Sequence, residues 1–120
     1  MANQVKTELN LTDTEWRILE HRLQVPDAIA DTLQDDGIAH PTDVHIIAEL
    51  LQVGDWRAAD AHSERITQEV LFDAVEGCTW LGAMKATESA QAIRAHDRAY
   101  ESLCDKLEAR YPHARRIQRV

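Results

Sequence analysis

Nowhere in the 120 residues do apolar and polar side chains alternate with the period of two that a half-buried strand requires. Apolar residues recur instead at spacings of three and four, between short signals that start and stop helices. That pattern leaves little room for any sheet. Glycine and proline are rare (4 and 3 residues), which also favours helix. The size matches one domain, large enough to bury a core without disulfides or a structural metal. The expectation is therefore a single all-α domain, a compact bundle of about five helices. Residues 1–10 and 112–120 are expected to be flexible tails.

The clearest start signal is Leu11-Thr12-Asp13-Thr14-Glu15-Trp16. Thr12 stands at the N-cap with Glu15 three residues on, a capping box, and Leu11 and Trp16 fall at the positions of a hydrophobic staple. This predicts a helix over 13–24 with Trp16, Leu19 and Leu23 inward. Pro26 suits the start of a second helix. Val25, Ile29 and Leu33 give it an apolar face, and Gly37 follows it at a left-handed position. A third helix begins at Thr42, after His40-Pro41, and stops at Gly54. Its residues Val44, Ile46, Ile47, Leu50, Leu51 and Val53 cover most of the circumference, so it reads as the most buried helix. Asp55 caps a fourth over 56–76, with Trp56, Ala59, Ile66, Val70, Ala74 and Val75 inward. A short helix is expected after Thr79. A last long one covers 87–110, with Ile93, Tyr100, Leu103 and Leu107 as its stripe and Cys104 beside it, until Pro112 stops the chain.

The helices over 27–52 could cross as a DNA-reading pair does. The charge argues otherwise. From Leu23 to Trp56 there are seven acids and no lysine or arginine. A DNA reader needs cations to hold phosphates, and the whole chain carries a formal charge of −8. Nucleic-acid backbone and acidic lipid surfaces are both disfavoured as direct partners. No apolar run is long enough to span a membrane. Cys78 and Cys104 form no CxxC motif, and no signal peptide is visible, which points to a reducing cytoplasmic setting. Cys78 precedes a helix start, where a thiolate is favoured, but no oxyanion loop or paired histidine stands near it.

Within the acidic segment Asp27, Asp31 and Asp35 recur every fourth residue, and Asp36 follows. Like charges at that spacing destabilise their own helix slightly. The expected role is non-enzymatic: a protein that binds or inhibits another protein with a basic surface through Asp27, Asp31, Asp35 and Asp36. By analogy with some phage-encoded inhibitors, such a row can mimic nucleic-acid charge. No catalytic residue, metal ligand or cofactor is assigned.

Two chemical alternatives stand beside that role. His40, Asp43 and His45 lie close in sequence, and His45 and Glu49 share a helix face, a donor set fit for zinc or iron but without a recognised ligand spacing. His62, Glu69, Asp73 and Glu76 on the fourth helix, and Asp97, Glu101, Asp105 and Glu108 on the last, form carboxylate stripes. Two such stripes face to face would suit a metal-dependent nucleotide pyrophosphohydrolase, the alternative reading. From Ala109 to Val120 there are four arginines and no acid. This tail is expected to stay solvated, to fold back on the acidic helix of residues 27–35, or to bridge to a second copy as a homodimer.

Residues 50–66, Leu-Leu-Gln-Val-Gly-Asp-Trp-Arg-Ala-Ala-Asp onward, resemble the opening pattern of the tetrapyrrole-binding domain family named for genomes-uncoupled mutants. The later, ligand-binding half of that pattern is absent. The resemblance implies a helix start and a packing tryptophan at Trp56, with no binding residues carried over.

Overall fold

The structure is a computed structural model that describes residues 2–76 and 89–119. Among these residues there are six helices and no strand: α1 (Gln4–Glu8), α2 (Asp13–Leu23), α3 (Asp27–Asp35), α4 (Pro41–Gln52), α5 (Trp56–Glu76) and α6 (Ala90–Arg110). They form an all-α compact bundle around one contiguous apolar core. The short helix expected after Thr79 lies outside the described residues, as do Cys78 and the expected start of the last helix at Thr87.

Local chemistry sets most boundaries. The Thr12–Glu15 capping box is present in both directions: Thr12 Oγ1 accepts from the Glu15 amide (3.2 Å), and Glu15 Oε1 accepts from the Thr12 amide (2.9 Å). His40 caps α4 through Nδ1, which accepts from the Thr42 amide (3.1 Å), so Pro41 is the first helical residue. Asp55 Oδ1 accepts from the Ala58 amide (3.2 Å) at the head of α5. Gly37 and Gly54 follow α3 and α4 with φ of +70° and +83°, as a left-handed stop requires.

α5 is two helical runs joined at Ser63, whose backbone is extended (φ −169°, ψ 115°). Ser63 Oγ accepts from the Ile66 amide (3.2 Å), so it caps the second run. Thr67 Oγ1 donates to the Ser63 carbonyl (2.7 Å) and secures the same corner. The continuous helix expected over 56–76 is corrected to this pair.

The core differs from the sequence expectation in three places. The most buried stretch is Val70–Val75 of α5, six consecutive buried residues, and not α4. On α4 Val44, Ile47, Ala48 and Leu51 are buried, while Ile46 and Val53 are 40% and 60% exposed. α5, α3 and α2 all pack against α4, and the flank that carries Ile46 faces water. Val25, expected on the apolar face of α3, sits in the α2–α3 turn and is 63% exposed.

Both terminal segments reach the core. Val5 of α1 and Leu9 are buried, and the Gln4 amide donates to the Gly54 carbonyl (2.8 Å). After α6 the chain turns at Tyr111-Pro112 and continues without regular secondary structure over 115–119, with Ile117 5% exposed in the core. Tyr111 packs edge-on against Phe72 (centroids 5.9 Å apart) and tilted against Trp56 (6.5 Å), while the Arg110 guanidinium lies over the Trp56 ring (5.0 Å).

Two ion pairs tie α2 to distant elements. Glu15, 2% exposed, receives Lys106 Nζ of α6 on Oε1 (2.8 Å), and the same ammonium donates to the Asn10 carbonyl (2.8 Å). Arg22 donates to the Asp73 carbonyl and lies 3.4 Å from the Asp73 carboxylate. Burial pushes the Asp73 carboxyl up, partly offset by Arg22.

Candidate functional site

The four aspartates singled out by sequence all lie exposed on α3 and its C-cap. Asp27 is the first residue of the helix, where the backbone amides favour a carboxylate. Its Oδ1 is 3.2 Å from His45 Nε2 on α4. Asp31 follows one turn on. Asp35 ends the helix and Asp36 is its C-cap, at the end whose free carbonyls disfavour negative charge, and no basic residue stands in the last turn. Asp31, Asp35 and Asp36 make no ion pair with any described residue.

The basic tail does fold back, but not onto α3. Arg115 reaches α5, with Nη1 2.5 Å from Glu76 Oε2 and Nη2 2.7 Å from Glu76 Oε1 and 3.4 Å from Glu69 Oε2. Arg119 reaches α6, pairing with Glu101 and lying 2.7 Å from Asp105 Oδ1 and 2.5 Å from Glu108 Oε1. The backbone joins in: the Ile117 amide donates to Glu108 (3.0 Å) and the Gln118 amide to Glu76 (2.9 Å). Glu76 raises the Arg115 pKa above its usual value, and Asp105 leads the same effect on Arg119. The Ile117 amide and Arg119 hold the Glu108 carboxyl below the usual range.

Of the seven acids in the two carboxylate stripes, five are thus gripped by Arg115 and Arg119, Glu108 lies 3.8 Å from Arg116 as well, and Asp73 faces Arg22. His62 is cut off from the α5 stripe by the Ser63 break and pairs with Asp43 of α4 (3.0 Å). The His40, Asp43 and His45 set is dispersed as well: His40 caps a helix, Asp43 faces His62, and His45 faces Asp27. Among the described residues no three His, Cys, Asp or Glu side chains are grouped so as to hold a metal ion. Cys104 is buried, and burial pushes its thiol up to about 11.

Sequence reasoning missed the destination of the tail, the Arg22–Asp73 and Lys106–Glu15 pairs, and the cap at Ser63. Of these only Ser63 leaves a local trace, a capping residue three positions before Ile66 inside an otherwise helical run. The resemblance at residues 50–66 correctly anticipates Trp56, which opens α5 and is 1% exposed. The class of the molecule is that of an all-α bundle with an acidic surface helix, three of whose four aspartates pair with no described cation. Comparison with protein-family models, curated proteins and solved structures gives no significant match. No helix among the described residues is long and apolar enough to cross a membrane.

Proposed function

We propose that the protein is a non-enzymatic binding protein whose α3 face, Asp27, Asp31, Asp35 and Asp36, docks a basic surface of another protein. One observation carries this reading. The chain's own tail arginines are spent on α5 and α6, and three of the four α3 aspartates meet no described cation. Asp35 and Asp36 also sit at the wrong end of their helix for stability, a cost of about 0.3–1 kcal/mol each. Exposed apolar residues stand close to Asp27 in the chain or to its contact: Val25 precedes it by two residues, and Ile46 follows His45. Protein interfaces mix such apolar patches with a charged rim. Inhibition by imitation of nucleic-acid charge is the finer form of the proposal.

The test is Asp→Asn at all four positions, which preserves shape and removes charge. Partners captured by the wild-type protein from its native host are identified, purified and titrated. At about 0.5 kcal/mol per exposed pair, the variant loses about 2 kcal/mol, or ~30-fold in affinity. Duplex DNA should compete if charge imitation is the mode. An affinity unchanged by the four substitutions refutes the docking face.

A further inference from the structure

The C-terminal segment sits in the molecule as a peptide sits in a receptor. Residues 115–119, Arg-Arg-Ile-Gln-Arg, form no helix or turn and lie between acids of α5 and α6. Arg115 meets Glu69 and Glu76 on one wall, Arg119 meets Glu101, Asp105 and Glu108 on the other, and Ile117 between them enters the core. Two successive backbone amides, of Ile117 and Gln118, donate to carboxylates from opposite walls. Ile117 is buried while its neighbours Arg116 and Gln118 are exposed, so the two arginines flank a single apolar plug.

The groove is selective about what fills it. The side chains of Glu69, Glu76 and Glu108 are only 14–16% exposed. Part of that shielding comes from the strap itself, but five carboxylates converging on two guanidinium groups repel one another unless cations stand beside them. An empty groove is therefore disfavoured, and a neutral or acidic occupant does not replace the strap. Nor is the strap a close fit. Cavities of about 410 Å³ and 360 Å³ flank it, the first against Pro112, Ala114 and Arg116, the second against Asp36, Asp73 and Gln118.

We propose that the groove between α5 and α6 is a binding site for an extended basic peptide of the pattern Arg-x-aliphatic-x-Arg, and that residues 115–119 are its occupant in cis. The strap is then an autoinhibitory contact, displaced by a peptide that supplies the same two cations and the same apolar plug. Asp36 of the α3 face borders the second cavity, but none of the five groove carboxylates belongs to that face, so the site does not depend on the reading given to it.

The probe is a fluorescein-labelled peptide of sequence His-Ala-Arg-Arg-Ile-Gln-Arg, followed by anisotropy with the full chain. Arg115→Ala with Arg119→Ala loosens the strap and leaves every groove carboxylate in place. That variant should bind the probe at least tenfold more tightly than wild type, and 1 M NaCl should abolish the gain. A probe with both outer arginines replaced by alanine should not bind. Adding Glu76→Gln and Glu108→Gln to the protein should remove the gain, whereas asparagine at Asp27, Asp31 and Asp35 should leave it intact. No gain in the strap variant, or a gain that survives the glutamine substitutions, overturns the proposal. So does wild-type self-association by strap exchange without probe capture. Should the strap variant fail to fold, excess probe is added to wild type and amide exchange at Ile117 and Gln118 is followed. Their protection should fall, and unchanged protection overturns the proposal equally.

Discussion

Replacing Lys106 by methionine keeps the length of the side chain and removes the cation that faces a buried carboxylate. Glu15 is 2% exposed, and its Oε1 takes both the Lys106 ammonium (2.8 Å) and the Thr12 amide (2.9 Å). Burial pushes the Glu15 carboxyl up, but Lys106 and Thr12 together outweigh burial and hold it below its usual 4.5. Breaking a buried pair from one side costs about 3–5 kcal/mol. Lys106 is 28% exposed and the Thr12 amide stays in place, so the lower end applies, about 3 kcal/mol. Unfolding entropy near 2.1 cal/mol/K per residue gives about 0.25 kcal/mol/K for 120 residues, hence a fall of about 12 °C in Tm. The direction of the shift sets the pH dependence. With the folded value below the unfolded one, the stabilisation is fully present above about 4.5 and is lost as pH falls through the folded value. In the variant burial is opposed only by Thr12 and Ser102, so the folded value rises relative to that of the wild type and acid relieves the buried charge. The deficit should therefore shrink between pH 7 and pH 3.5 in urea titrations followed by circular dichroism. Glu15→Gln on top of Lys106→Met keeps the cap on Thr12 and should recover most of the loss. A deficit under about 0.5 kcal/mol at pH 7, or one that does not change with pH, refutes the reasoning.

Two further outcomes are expected. Gly54→Ala should cost clearly more than Gly37→Ala in chemical denaturation: both need positive φ, worth about 1 kcal/mol, but only at Gly54 does the added Cβ fall 2.7 Å from the Asn3 backbone, so α1 should detach as well. In a Cys78→Ser background, Cys104 should resist a thiol reagent at pH 8 in the folded protein and react at once in guanidinium, because burial lifts its pKa to about 11; equal rates in both conditions contradict its placement.

What the sequence made legible was whatever a few adjacent residues decide. The Thr12–Glu15 box, the Asp55 cap and the glycine stops at 37 and 54 need nothing from the rest of the chain. Burial was legible only where the apolar stripe was narrow. On α3 Ile29 and Leu33 are inside as periodicity requires. On α4 the apolar residues go most of the way round, so periodicity could not tell that Ile46 and Val53 face water. Long-range charge pairing left no trace at all. Arg22 and Asp73 stand 51 residues apart, and Arg119 chose the acids of α6 over those of α3 because turning back at Pro112 lays the tail along the helix it has just left. The exposed positions of Asp27, Asp31, Asp35 and Asp36 agree with their spacing, while the gathering of the α5 and α6 acids around one strap needed the fold.

The discontinuity at Ser63 separates the rotational phase of two stretches that the sequence writes as one. Each residue added to a helix rotates the remainder of that helix by about 100°. A residue gained or lost between Trp56 and His62 would have its rotation absorbed at the extended serine, leaving Val70–Val75 facing inward. The same change between Thr67 and Glu69 would turn Val70–Glu76 by about 100°, taking Asp73 away from Arg22 and Glu76 away from Arg115. Variation in chain length is thus tolerable on one side of a single residue and ruinous on the other.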